Sequence, residues 1–96
     1  MDEISKASLR VTLLSLSNDL KRITTSIQRG SLENSKRFNK EAQRWLVESN
    51  EVEDKYLKNL LKKVKETLSQ KDDLMKAEDC LMYSVLLQNQ ALYSSK

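Results

Sequence analysis

The chain has 96 residues, of which 39% are hydrophobic and 32% charged, and a formal net charge of +3. Leu, Ile, Val and Phe make up about a quarter of it, too much for a typical disordered segment. One glycine and no proline argue against a meander of short strands. No histidine and a single cysteine exclude a disulfide framework, a histidine base and the common zinc spacings, so most enzyme classes are gone at the outset.

The start, Met1-Asp2-Glu3, is acidic and leads into no apolar run, so a secretory signal is not expected. Leu9, Leu13, Leu16, Leu20, Ile23 and Ile27 follow one another with alternating spacings of four and three. That is a helical seam over about residues 3–29, and it needs another helix to bury it. Ile4, Ala7, Val11 and Leu14 form a second apolar set on nearly the opposite face. The helix is therefore expected to be covered on both sides, its first half more deeply than Lys21 to Arg29.

Gly30 is the one strong punctuation mark. It suits the left-handed position after a helix, with basic Arg29 at the negative end of the dipole. Ser31 is then expected to cap the next helix, with Glu33 in its first turn. The reading is an antiparallel helical hairpin.

After Gly30 a long helix is expected over about residues 32–68. Phe38, Ala42, Trp45, Val52 and Tyr56 make one stripe, interrupted by Ser49. Leu57, Leu60, Leu61, Val64 and Leu68 centre roughly 100° further round, which implies a bend near 49–57 or a change of partner. Run on to residue 94 as one rod, this segment would reach about 95 Å, against roughly 39 Å for the first helix. It must fold back or meet another chain. The favoured break is Ser69 to Asp73; a competing one is Ser49 to Glu53, where Asn50 and Glu53 have capping-box spacing.

The expected C-terminal helix, about 71–94, is apolar most of the way round. Leu74, Ala77, Leu81, Val85 and Leu92 form one stripe, and Met75, Met82, Leu86 and Tyr93 a second. Cys80, Tyr83, Leu87 and Ala91 widen the surface further, and Ser84 is the conspicuous polar residue within it. One neighbouring helix does not bury that circumference. Even its most apolar run, Cys80 to Leu87, is far short of the roughly 20 residues of a transmembrane helix.

Charges and catalysis complete the inventory. Lys55, Lys58, Lys62 and Lys65 form a helical row joined by Lys63, and Lys36, Lys40 and Arg44 a second row. Glu51 with Lys55, Asp54 with Lys58, Glu33 with Arg37 and Asp72 with Lys76 have the spacing of favourable helical pairs. The neighbouring acids Glu78-Asp79 and Asp72-Asp73 point apart on a helix, and Cys80 has no histidine to activate it. Cys80 reads as a small buried hydrophobe in a reducing compartment, cytoplasmic or nuclear. No cofactor is expected.

The sequence thus predicts an all-α protein, a helical hairpin extended into a small three-helix bundle or coiled coil and completed by homo- or hetero-oligomerisation. The expected function is a non-enzymatic subunit or scaffold that binds partner helices. Leu81, Met82, Val85, Leu86, Leu92 and Tyr93 are the candidate contact residues, with Leu13, Leu16, Leu20 and Ile23 as the seam. Two other functions share these features. One is a basic module binding nucleic acid or an anionic surface through Lys55, Lys58, Lys62 and Lys65. The other is a helical chaperone that shields a hydrophobic client segment.

Overall fold

A computed structural model describes residues 6–49 and 51–93, with side chains from Ser8 onward. The fold is all-α: α1 is Lys6–Gln28, α2 Leu32–Glu48, α3 Lys55–Leu68 and α4 Asp73–Tyr93. The described residues contain no strand. Ile4, Asn50 and the side chain of Ala7, which entered the expectations above, lie outside what is described.

The α1–α2 turn follows directly from its glycine. Gly30 has φ +75°, a conformation side chains resist. Its N–H donates to the Ile27 carbonyl at 3.0 Å and that of Ser31 to the Ser26 carbonyl at 2.8 Å, the paired bonds of a Schellman motif. Ser31 occupies the cap position, but its hydroxyl makes no capping hydrogen bond, contrary to expectation.

The expected long helix is two. The Ser49 hydroxyl contacts the Trp45 and Leu46 carbonyls at 3.0 and 3.1 Å, closing α2 with a side chain that is itself buried. Val52 then turns into the core, and the Asp54 carboxylate accepts from the Leu57 N–H at 3.0 Å to start α3. A second break separates α3 from α4, where Asp72 accepts from the Met75 N–H at 3.1 Å. The step between the two predicted stripes is a chain reversal, not a bend.

Four helices with short connections arrange so that each has two neighbours. α1 packs most extensively on α4 and on α2, while α3 rests on α4 and, less extensively, on α2. The described residues span 40 × 23 × 18 Å, so the long axis is little more than the length of α1. Leu13, Leu16, Leu20 and Ile23 of α1 lie at the centre, with Ala42 from α2, Leu60 and Val64 from α3, and Cys80 and Leu87 from α4. Burial along α1 is densest from Thr12 to Leu20 and thins after Lys21, as expected, although Ile23, Thr24 and Ser26 stay enclosed; Val11, expected to be covered, is 59% exposed.

Candidate functional site

The α1–α4 contact decides which face of α4 is left over. Ala77, Cys80, Ser84, Leu87 and Ala91 repeat at alternating spacings of three and four, and all are buried. Four of the five are small, which lets the α4 backbone approach α1 closely. The approach is cemented by α1 hydroxyls on α4 carbonyls. Ser17 Oγ donates to the Ser84 carbonyl and Thr24 Oγ1 to that of Ala77, both at 2.7 Å. These pairings run in opposite directions along the two helices, so α1 and α4 are antiparallel. Ser84 turns its own hydroxyl back to the Leu81 carbonyl at 2.6 Å, leaving no buried polar atom unsatisfied there.

The large apolar residues of α4 consequently point outward. Leu81, Met82, Val85 and Leu92 are 44–48% exposed, and Leu74 and Tyr93 reach 71%. Met75 is exposed beside them, and Leu86 lies half-buried at the border. At 100° per residue this apolar arc is centred roughly 140° from the small-residue face. Glu78 and Asn89 are the exposed polar residues within it.

The two groups of residues singled out as partner contacts thus part company. Leu81, Met82, Val85, Leu92 and Tyr93 share one exposed face, with Leu86 at its edge. Leu13, Leu16, Leu20 and Ile23 are at most 2% exposed, because α2 and α4 of the same chain fill the seam. As placed, they offer nothing to a partner helix. The face turned to the core is the third set, Cys80, Leu87 and Ala91, with half-buried Tyr83. The signal for it was available in the spacing of small residues through Ser84, which a purely apolar count passes over.

The lysine row sits on the outside of α3, where Lys55, Lys58, Lys62, Lys63 and Lys65 are all exposed. None of the four expected helical ion pairs forms among the described residues. Glu51 lies in the turn before α3, so helical spacing no longer brings it to Lys55. Asp54 and Asp72 spend their carboxylates on helix starts, and the Arg37 guanidinium lies 5.8 Å from the Phe38 ring centre.

One buried acid has no counterpart in the sequence reading. Asp19 of α1 is 2% exposed, with Arg22 Nη1 3.7 Å from Oδ1 and no hydrogen-bond partner for Oδ2 among the described residues. Its carboxyl is pushed up to about 7, first by burial and then by the Glu41 carboxyl of α2. The Trp45 side chain and Arg22 act in the opposite direction. The Cys80 thiol is likewise pushed up to about 11 by burial, which keeps it protonated and unreactive at neutral pH.

No described helix is long and apolar enough to cross a membrane, and no cluster of three or more acidic or cysteine side chains among the described residues is placed to hold a metal. Comparison with protein-family models, curated proteins and solved structures finds no match to this chain.

Proposed function

We propose that this protein is a non-enzymatic interaction subunit whose α4 receives an amphipathic helix of a partner, a second copy or another protein, in bundle or coiled-coil packing. The supporting observation is the exposed apolar arc of Leu74, Met75, Leu81, Met82, Val85, Leu92 and Tyr93 on a helix whose other face is already buried. Contiguous apolar surface of this kind marks association sites. Leu74, Leu81, Val85 and Leu92 lie at intervals of seven, four and seven, the register of a helix-on-helix seam. The two methionines adapt to the partner's side chains.

The test uses the double variant Leu81→Asp/Val85→Asp, both at exposed positions, so that folding and binding separate. Light scattering over a concentration range, together with recovery of bound proteins from the native extract, compares it with the wild type. The expected result is a defined oligomer or a retained protein that the variant loses while its helical content and cooperative unfolding are kept. An 11.1 kDa monomer that retains the same proteins as the variant overturns the reading.

A second reading rests on the unneutralised lysines of α3, which would dock on nucleic acid or an anionic surface. It requires affinity that falls steeply with salt and is lost in Lys58→Glu/Lys62→Glu/Lys65→Glu. The chaperone reading uses the same α4 face, and timed release of a bound client separates it from stable assembly.

A further inference from the structure

Beside the Gly30 turn, α1 and α2 flank an open groove of about 310 Å³. Lys21, Arg22 and Arg29 line it, with no carboxylate among the lining residues. Ser26, Ser31 and Asn34 add neutral donors, and the Phe38 ring forms an apolar wall. The groove is separate from the lysine row, since α3 does not pack on α1.

Several of these donors are left without work inside the chain. Ser26 is 6% exposed; its carbonyl takes the Ser31 N–H, but its hydroxyl has no hydrogen-bond partner among the described residues. The Ser31 hydroxyl caps nothing, so the first-turn N–H groups of α2 lack the side-chain acceptor a helix start usually has. Arg29 is exposed and makes no ion pair among the described residues. The other two cations are held in place. Arg22 lies 5.5 Å from the Phe38 ring centre with its Nη1 3.7 Å from Asp19 Oδ1, and Lys21 Nζ donates to Gln88 Oε1 at 2.8 Å with two N–H bonds to spare.

We propose that this groove binds a phosphate monoester, its dianion held by Arg29, Arg22 and Lys21 and by the Ser26 and Ser31 hydroxyls at the start of α2. A dianion with three acceptor oxygens matches several converging cations and hydroxyls, whereas a single carboxylate leaves most of them unused. The helix start adds its partial positive charge. The volume leaves room for the group that carries the phosphate, which Phe38 flanks.

The test follows backbone amide shifts by NMR while O-phosphoserine, and separately inorganic phosphate, is added at constant ionic strength. Saturating shifts at Ser31 to Asn34 are expected with O-phosphoserine. Arg29→Glu should weaken binding by about tenfold or more, the loss of a charge-assisted contact. Lys71→Glu, which changes net charge equally in the connection between α3 and α4, should leave it unchanged. Shifts that never saturate, equal affinity in Arg29→Glu and wild type, or saturation by inorganic phosphate alone would each overturn the proposal.

Discussion

Helices α3 and α4 are neighbours in sequence and pack on each other, yet they distribute their side chains in opposite ways. In α3 the large residues Leu57, Leu60, Leu61, Val64 and Leu68 face inward and the lysines outward. In α4 the inward residues are mostly small, and leucines, methionines, a valine and a tyrosine face out. α3 is stabilised by the area it buries. α4 is held by close approach and cross-helix hydrogen bonds, which keeps most of its large apolar surface unspent. Apolar content alone therefore says little about which helix builds the core.

Placing one charge on each helix gives the sharpest contrast. Val64→Asp sets a carboxylate into a fully enclosed site on α3 and should cost about 3–5 kcal/mol, enough to unfold a domain this small. Val85→Asp on α4 should change stability by less than about 0.5 kcal/mol. Urea denaturation of the two variants decides the matter, and similar losses would dissolve the distinction.

Size in place of charge probes the same difference from the other side. Ser84→Leu raises the apolar content of α4, and by composition alone it should stabilise the chain. Because Ser84 is 0% exposed against α1, overpacking should instead cost about 1–3 kcal/mol. A higher melting temperature in this variant would show that α1 and α4 are not in close contact.

A smaller effect isolates the α1–α2 side of the molecule, which none of these three substitutions touches. The folded state holds the Asp19 carboxyl near 7, whereas the unfolded chain releases that proton near 3.8. Between these values the native state binds the extra proton, so stability is greatest at the acid end and falls as pH rises through about 7. Glu41 and Arg22 face the same carboxyl, so Asp19→Asn is the informative control. It should flatten this part of the pH profile and gain about 1–2 kcal/mol at pH 8. A wild-type profile without this slope would mean Asp19 is solvated.

Much of the fold was legible in the sequence because its strongest signals are local. The period through Leu13, Leu16, Leu20 and Ile23 marked α1, Gly30 marked the turn, and the Leu57–Leu68 stripe marked the inner face of α3. The break between α2 and α3 was harder to weigh, since Ser49 reads as an interruption until its hydroxyl is seen on two carbonyls. The orientation of α4 was least legible. Hydropathy ranks Ser84 as surface and Leu81 as core, whereas the spacing available beside α1 reverses both. Asp19 and the Ser26 groove carried no local signal, because both arise from residues brought together across a turn.

The pairing of α1 with α4 also sets a schedule. Ser17 and Ser84, which meet at its centre, are separated by 67 positions in the chain. At about 5–20 residues per second, a ribosome needs several seconds to supply α4 after α1 has left it. Through that interval α2 is the one of the two described neighbours of α1 already made. The Gly30 hairpin thus shelters a half-finished core during synthesis.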